Sequence, residues 1–524
     1  MPKDARKQPI GRHNSDATTP ASLPERMTQP LLWGYGLGAV TMIVQLGGTA
    51  VMARLLEPAL FGQVAAAAAV LRFLQYVSDL GLTSAVIREW PNSRDCARPL
   101  RTAMISANLV LAGLIWLSAP LLLSFAAEPT ETAVAILRVL ALGPVLAAFG
   151  QISSAFMQSR LDLQGIGLAG LAAQIAGSVL VAIPMAFAGF GIWSLIAGSL
   201  VQTATLAVIF LLRAPLPQAA APTKRSKALH RLGLKYMLLR LLDAAGQAVV
   251  PLALSILVGM TAVGLYDRSF VLTIVVLDWL STGIGRVIQP MLVETHRATN
   301  DPEYGASVSP HRPAMVLTDA LTIGGGILLA VALGILICRE LLASVILGAD
   351  WLAAAPVIGL LAAWAWLRGL AIICGTSVEA IGSLSLRAFH QGSYLAIMVT
   401  ALAIIQPQSV TAVLTVVLWV EAINITAFLI FGAHSAGLSL AQLLRTLLGL
   451  PMPGLLVAAG LLALLWRLPD VSRALALGLA IPSAAILLGL GLYWHPFPTA
   501  RQRIRLYASE IFRLIGHGAK SAAN

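Results

Sequence analysis

The sequence predicts an all-α integral membrane protein with about 14 transmembrane helices, arranged as two six-helix bundles around a central cavity with two extra C-terminal helices. Of the 524 residues, 58% are hydrophobic and only 11% are charged, whereas soluble domains carry about 25% charged residues. Apolar runs of about 20 residues, long enough to cross a ~30 Å hydrocarbon core, recur along the chain. The runs are continuous instead of alternating, which indicates helices and argues against a barrel.

The predicted spans follow the hydropathy of the chain, and we number them in chain order. Their bounds are 31–52, 60–83, 102–125, 132–157, 165–187, 190–212, 234–258, 263–291, 313–338, 353–378, 391–406, 409–432, 446–466 and 474–494. Residues 1–30 are polar and are predicted to form a disordered cytoplasmic tail. Residues 495–524 are predicted to form a basic amphipathic cytoplasmic tail on anionic lipid, with a merely solvated tail as the alternative.

The formal net charge of +12 is interpreted as a signal of orientation in the membrane. Basic residues cluster at 3–12, 88–101, 224–235 and 501–505, with an even number of predicted spans between successive clusters. Cytoplasmic loops carry an excess of Lys and Arg, so the four clusters and both termini are predicted to be cytoplasmic. This placement argues against nucleic acid as a partner.

The chain is predicted to divide after six spans. The segment 213–232 looks like a cytoplasmic linker between an N-lobe, 31–212, and a C-lobe, 233–432. Helices 13 and 14, at 446–494, are predicted to be appended to these two lobes.

A weak internal repeat relates the two lobes. A shift of 202 residues places Gln45 on Gln247 and Gly62 on Gly264. Because each lobe has six spans, the repeat should be parallel and related by an axis along the membrane normal. The substrate cleft is therefore expected between the lobes.

Spans 2 and 7 each carry polar side chains on one helical stripe. In span 2 these are Arg72, Gln75, Tyr76, Asp79 and Thr83, and in span 7 they are Arg240, Asp243 and Gln247. A carboxylate such as that of Asp79 costs roughly 2.5 to 3.5 kcal/mol near the middle of a spanning helix, so it needs a partner, water or a function. The two stripes are predicted to face each other across the cleft. Structural ion pairs within each stripe are the alternative.

The other intramembrane charges lie mainly in the second half of the chain. They are Arg138, Asp267, Arg268, Asp278, Arg286, Arg368 and Glu421. Arg268 and Arg286 lie near helix ends, where snorkelling to the interface competes with a functional role, and Asp267 is expected to pair with Arg268. Glu421 is either protonated and hydrogen-bonded within the second lobe or an ion-coupling carboxylate.

Tryptophans occur at several predicted span ends, where an aromatic belt would place them at the level of the lipid head groups. They are Trp33, Trp90, Trp193, Trp351 and Trp494. We interpret all five as belt anchors.

The pattern of intramembrane charges is more typical of a binding site than of a catalytic site. Several Arg, fewer acids and a Gln pair match an anionic, hydroxyl-rich ligand, because guanidinium binds phosphate bidentately and amides bind sugars. The sequence contains no Gly-rich phosphate loop, no HExxH motif and no soluble stretch large enough for a nucleotide-binding domain. The three cysteines lack metal-ligand spacing. No enzyme site, metal or cofactor is therefore expected.

Six sequence motifs resemble those of a known family. They are ARLLEPALFG at 53–62, FLQYVSDLGLTSAVI at 73–87, AGFGIWSLIAGSLVQ at 188–202, GLKYMLLRLLDAAGQ at 233–247, VGLYDRSFVL at 263–272 and GIGRVIQPML at 283–292. As a set they resemble the Wzx-like oligosaccharide flippases of the multidrug/oligosaccharidyl-lipid/polysaccharide exporter superfamily, in the lipopolysaccharide and exopolysaccharide branch.

The resemblance implies a cargo and a mechanism. The implied cargo is a polyprenyl-diphosphate-linked oligosaccharide, moved across the bacterial inner membrane by a central cavity that opens alternately to each side. Arg54, Asp79 and Arg286 match family positions, and their roles there can be conformational. Related lipid II flippases have an Arg-Asp pair in helix 1 where this chain has Gly48 and Thr49, which argues against a peptidoglycan precursor as cargo.

Together, the residues and the resemblance give a set of expected roles. Arg72, Arg240 and Arg286 are expected to hold the diphosphate, with Gln45, Gln247 and Tyr76 on the sugars and Asp79, Asp243, Glu421 and Arg54 in coupling or gating. Membrane lipids are expected partners, and a polysaccharide polymerase is a candidate one. A drug or small-cation antiporter of the same superfamily is the alternative function, and a glycan-assembly enzyme ranks third.

Overall fold

A computed structural model of the chain describes residues 23–65, 82–88, 97–124, 131–160, 162–215, 241–242, 244–300, 313–380, 384–467 and 471–493. Among these residues there are helices and turns and no strand, so the all-α class is confirmed. Eleven helices in this part of the chain are long and apolar enough to cross a membrane, and two shorter apolar helices lie at predicted spans 7 and 11. The total of 14 stays a prediction, because much of span 2 lies outside the described residues.

The first lobe contains spans 1 to 6. Its helices are Leu23–Leu55, 58–65, Leu82–Arg88, Ala97–Ser124, Glu131–Leu140 with Leu142–Ser159, Leu163–Phe187 and Ile192–Arg213. The helix of span 5 contains a π-helical stretch, Ile175–Ala182. Span 6 follows a tight turn in which Gly189 and Gly191 have φ angles of +83° and +54°, a region that favours glycine.

The second lobe contains spans 7 to 12 and is followed by spans 13 and 14. Its helices are Ala244–Leu257, Met260–Asn300, Pro313–Ile337, Ala355–Ala380, Leu384–Ile405 and Val410–Ser435. Between spans 9 and 10 the chain forms a compact turn from Arg339 to Ala354 that includes π-helical and 3₁₀ segments. Leu440–Gly449 and Pro451–Arg467 form span 13, and Arg473–Tyr493 forms span 14.

Local sequence explains where several helices begin. Span 12 starts after Ser409, whose hydroxyl accepts a hydrogen bond from the backbone N–H of Ala412. Span 13 starts after Ser439, which forms a capping box with Gln442. These caps satisfy backbone donors that would otherwise lack an intrahelical partner.

Spans 13 and 14 pack on the second lobe. A small apolar core joins span 9 to both of them through Ala330, Val457, Leu461 and Leu477. Gly454 of span 13 leaves room for the side chain of Leu329, which would lie 3.0 Å from a Cβ at that position. The two C-terminal helices therefore pack on the second lobe.

Because the spans run alternately in opposite directions, the connections fall at two ends of the bundle. We call the end at which span 1 finishes the distal end. The turns at 56–57, 188–191, 258–259, 338–354 and 406–409 lie there.

Candidate functional site

The two lobes meet at the distal end through a cluster of buried apolar side chains, which we call the distal seal. From the first lobe it contains Met52, Ala53, Leu56, Phe61, Ala182 and Ala186, and from the second Leu272, Ala343, Leu347, Trp351, Ala354, Ala355 and Ile358. Burial of apolar surface is favourable by roughly 25 cal/mol per Å², so this contact stabilises the arrangement in which the distal end is closed.

Trp351 is the centre of the distal seal. Its side chain is 1% exposed, and its indole Nε1 donates a hydrogen bond to the carbonyl oxygen of Ala53 at 2.8 Å. The ring packs edge-on against Phe61, with centroids 5.5 Å apart. The prediction that Trp351 is a belt anchor is therefore wrong, because the compact turn before span 10 carries the ring inward between the lobes and not out to lipid.

Arg54 also crosses from the first lobe to the second. Its guanidinium Nη2 donates to the carbonyl oxygen of Val345 at 2.6 Å. Its stem packs by Gly348, where a Cβ would lie 3.6 Å from the Arg54 Cγ and where φ is +116°. Arg54, which was expected to act in gating, thus holds the end of span 1 to the turn between spans 9 and 10.

Arg268 at the start of span 8 makes a third crossing contact. Its guanidinium forms an ion pair with Asp267, as expected, and it lies 4.5 Å from the centroid of the Phe61 ring. A cation over an aromatic face is attracted by the ring quadrupole. The Asp267–Arg268 ion pair therefore lies beside Phe61 of the distal seal and contacts the first lobe.

Two glycines allow the backbones of the two lobes to approach closely among the described residues. A Cβ on Gly62 would overlap the carbonyl oxygen of Met260, and a Cβ on Gly264 would overlap the carbonyl oxygen of Pro58. The repeat that places Gly62 on Gly264 also places Pro58 on Met260, so each contact is the image of the other. Spans 2 and 8 therefore cross on the pseudo-two-fold axis, and only glycine allows their backbones to come this close.

We expect Trp351→Ala to lower the stability of the protein by about 3–5 kcal/mol, because it removes a fully buried aromatic ring and leaves the Ala53 carbonyl without its donor. Trp351→Phe should cause less than half of the loss of stability that Trp351→Ala causes. Thermal unfolding in detergent micelles measures both. The control is Trp193→Ala, since Trp193 is 38% exposed at the start of span 6. An equal loss at both positions would contradict the role of Trp351 in the seal.

A second group of polar side chains lies inside the second lobe. Arg368 of span 10 donates through Nε to the carboxylate of Asp278 in span 8, with distances of 3.2 and 3.3 Å to its two oxygens. About a third of each side chain remains accessible. Nearby, Gly369 packs against Ser281, so spans 8 and 10 approach closely on this face.

Glu421 of span 12 completes an acidic excess around Arg368. It is 5% exposed and interacts electrostatically with Arg368. The phenol of Tyr394 in span 11 lies beside Glu421. Asp278, Arg368, Tyr394 and Glu421, which we call the C-lobe network, contain two carboxylates and one guanidinium. A proton or a small cation would be needed to balance the second carboxylate.

One helical turn from Tyr394, a histidine continues the polar face. His390 lies beside the backbone of Asn424 and packs on the ring of Phe428, with ring centroids 4.1 Å apart. Its Nε2 is buried and has no hydrogen-bond partner among the described residues. The face between spans 11 and 12 therefore offers an unused nitrogen beside the C-lobe network.

The predicted cavity residues differ in what the structure describes of them. Arg72, Tyr76, Asp79, Arg240 and Asp243 lie outside the described residues, and of Arg286 only the helical backbone is described. Gln247 is exposed on the short helix of span 7.

Gln45 is half-buried on span 1, two turns from Gly38 and therefore on nearly the same side of the helix. That side faces the second lobe, because a Cβ on Gly38 would lie 2.9 Å from Nε1 of Trp279 in span 8. The position of Gln45 is consistent with a place at the interface between the lobes.

Arg138, in contrast, lies away from both polar groups. Its Nε donates to the carbonyl oxygen of Trp116 at 3.1 Å, and its guanidinium lies 4.5 Å from the centroid of the Trp116 ring. Trp116 is 53% exposed on the surface of the first lobe. This charge is accounted for by a local contact between spans 3 and 4.

Sequence reasoning did not assemble the C-lobe network, although it named three of its members as intramembrane charges. Tyr394 was missed. The available signal was depth, because Tyr394 and Glu421 are each 11 residues from the ends of spans 11 and 12 that flank the 406–409 turn, Ile405 and Val410. Antiparallel neighbours joined by a short turn bring such positions to one level of the membrane.

The eleven long apolar helices define a multi-pass membrane protein. Structural comparison supports the class. The model resembles the lipid II flippase MurJ in an inward closed conformation, with a TM-score of 0.68 and 11% identity over 88% of this chain and 98% of that chain. It also resembles an inward-facing multidrug resistance MATE family transporter of the MOP superfamily, with a TM-score of 0.54 and 15% identity over 79% of this chain and 98% of that chain. These likenesses show the fold alone.

Sequence comparison gives the family. Residues 51–356 match the model of the polysaccharide biosynthesis protein family, and the chain belongs to this family. It is 27% identical over 180 residues to the succinoglycan biosynthesis transport protein ExoT of Rhizobium meliloti, an alignment that spans 34% of this chain and 36% of that protein. The chain is therefore a multi-pass membrane protein of the polysaccharide biosynthesis family, and the resemblance seen in its motifs is confirmed.

Proposed function

We propose that the protein is a flippase that moves polyprenyl-diphosphate-linked oligosaccharide repeat units across the bacterial inner membrane for exopolysaccharide or lipopolysaccharide biosynthesis. The observation that carries this proposal is the distal seal in a chain of the polysaccharide biosynthesis family. A contact on a pseudo-two-fold axis between two lobes can open by rocking one lobe against the other. Alternation between this closed distal end and an open one would expose the cleft to each side in turn.

The orientation follows from the charge distribution. With both termini and the 213–232 linker in the cytoplasm, the distal end faces the periplasm. The distal seal would then be the periplasmic gate, with Arg54 as a gating residue. The N-lobe, 31–212, and the C-lobe, 233–432, would rock about the linker.

The cargo would be held by the polar stripes that face the cleft. Arg72, Arg240 and Arg286 would bind the diphosphate, since guanidinium groups bind phosphate oxygens in a bidentate manner. Gln45, Gln247 and Tyr76 would hydrogen-bond to sugar hydroxyls. The lipid tail would stay in the bilayer through the gap between the lobes.

Coupling to an ion gradient would use the C-lobe network. Because Glu421 and Asp278 share Arg368, uptake of a proton or a cation would remove a net negative charge from a mostly buried site. Loss of that charge would change the interactions of Arg368 and hence the packing of span 8, which also carries Gly264 at the crossing with span 2. Asp79 and Asp243 are further candidates for coupling.

The test is translocation of a radiolabelled polyprenyl-diphosphate oligosaccharide in proteoliposomes, with and without an imposed proton or sodium gradient. We expect gradient-stimulated movement by the native protein and loss of the stimulation in Glu421→Gln, with the basal rate retained. Glu131→Gln is the control, since Glu131 is exposed at the start of span 4. Stimulation that survives in Glu421→Gln would refute coupling through Glu421, and no movement by the native protein would refute the flippase.

A drug or small-cation antiporter is the second candidate. It is favoured by the acidic excess in the C-lobe network and by the fold shared with multidrug transporters such as DinF-BH, whose structure is known in complex with R6G. That structure matches this chain with a TM-score of 0.52 and 14% identity, over 80% of this chain and 98% of that chain. Accumulation of a fluorescent organic cation by cells distinguishes the two. The antiporter predicts lower accumulation when the protein is expressed, whereas the flippase predicts no change.

A further inference from the structure

A cavity lies at the distal end, away from the interface between the lobes. It has a volume of about 560 Å³, is partly open, and is lined by the end of span 9, the turn before span 10 and the facing ends of spans 13 and 14. Leu341, Leu462 and Leu465 form part of its apolar wall. It therefore joins the second lobe to the two appended helices at the level where the spans end.

Three charged side chains line this cavity. They are Arg339, Glu340 and Arg473. Neither arginine forms an ion pair or a side-chain hydrogen bond with the described residues. The stem of Arg339 lies over span 10 where Gly359 has no side chain, since a Cβ there would be 3.4 Å from the Arg339 Cδ. The two arginines thus line one cavity, and among the residues that the structure describes neither has a carboxylate partner.

The chemistry of these walls specifies an amphiphile with one negative charge. Two guanidinium groups and one carboxylate leave a net charge of +1, which balances a single phosphodiester better than a diphosphate. The apolar wall suits acyl chains, and the arginines suit a phosphate at the head-group level. The carboxylate of Glu340 can accept hydrogen bonds from head-group hydroxyls.

We propose that this cavity binds the head group of phosphatidylglycerol, which carries one phosphodiester and two hydroxyls. The lipid bridges Arg339 of the second lobe and Arg473 of span 14, and so holds the appended helices in place. This inference depends on the chain spanning a membrane and does not depend on the cargo.

The test is the binding of dioctanoyl phosphatidylglycerol to the purified full chain in maltoside micelles, followed by native mass spectrometry. We expect the apparent Kd to be about tenfold weaker in the double variant Arg339→Gln/Arg473→Gln than in the native protein. Arg467→Gln is the matched control, because this arginine ends span 13 at the same end of the bundle and does not line the cavity. It should bind as the native protein does.

Four further probes, three lipids and one ion, test which phosphate-bearing molecule the cavity binds. Dioctanoyl phosphatidylcholine, dioctanoyl phosphatidylethanolamine and inorganic phosphate should each bind more weakly to the native protein than phosphatidylglycerol does, and farnesyl diphosphate should not displace it. Equal binding by any of the first three, or displacement by the last, would overturn the proposal. If the double variant does not fold, the single variant Arg473→Gln decides the case, since loss of one guanidinium should weaken the binding of phosphatidylglycerol more than that of phosphatidylcholine, and an unchanged affinity for phosphatidylglycerol would overturn the proposal.

Discussion

Replacement of Gly62 by leucine is expected to reduce translocation by at least about tenfold while the protein still inserts into the membrane. The new side chain would overlap the Met260 carbonyl, so the distal seal could form only if spans 2 and 8 moved apart. Overpacking costs about 1–3 kcal/mol, which shifts a two-state population by roughly 5- to 150-fold. Gly264→Leu should have the same effect, because its contact with Pro58 is the image of the first.

The state in which the variant is trapped can be measured directly. With native cysteines replaced by serine, a cysteine introduced at Ala65, which is 5% exposed beside the second lobe, reports access from the distal side. We expect labelling by a membrane-impermeant maleimide to rise in Gly62→Leu. Gly113→Leu is the control, since a Cβ on Gly113 of span 3 meets nothing within 4 Å. Normal transport by Gly62→Leu, or an equal defect in Gly113→Leu, would rule out the seal as a gate.

Replacement of Arg368 by glutamine is expected to lower the free energy of unfolding by about 2–3 kcal/mol and to abolish gradient-stimulated transport. It leaves Asp278 and Glu421 without their shared cation. Breaking a fully buried pair costs about 3–5 kcal/mol, and the smaller value reflects the accessible third of the Arg368 side chain. Thermal unfolding and the proteoliposome assay measure the two effects.

Addition of Asp278→Asn to the Arg368 variant should recover more than half of the lost stability, because it removes an unpaired carboxylate. Transport stimulation should not return with it. Arg138→Gln serves as the comparison, as Arg138 is an intramembrane arginine whose observed partners are the ring and carbonyl of Trp116. A loss of stability of the same size at Arg138 would mean that the shared carboxylates are not the cause.

Hydropathy was sufficient to predict the fold class and most helix bounds. Span 9, predicted at 313–338, is observed as Pro313–Ile337, and span 14, predicted at 474–494, as Arg473–Tyr493. The reason is physical, since in lipid every backbone group of a span must be hydrogen-bonded internally and a continuous apolar run has few other conformations. The weak repeat predicted that Gly62 and Gly264 occupy equivalent positions in their lobes, and each of them meets a backbone carbonyl of the other lobe.

Contacts between distant helices were harder to predict. The hydropathy of Trp351 is compatible with a belt anchor, and only the compact turn before span 10 shows that its ring points between the lobes. Asp278 and Arg368 are 90 residues apart, and their pairing depends on how spans 8 and 10 pack. Side-chain partners of this kind follow from tertiary packing, which a stripe on a single helix does not specify.

The crossing of spans 2 and 8 has a consequence for the origin of the chain. A contact on a two-fold axis is isologous, so in a homodimer one position supplies both halves of it. A half-length ancestor that paired in parallel would have needed only one glycine, which would meet in the partner copy the carbonyl of the residue four positions before it. After gene duplication, the fused chain would already have had this contact between its two halves. The rest of each half could then diverge while the contact between spans 2 and 8 stayed symmetric.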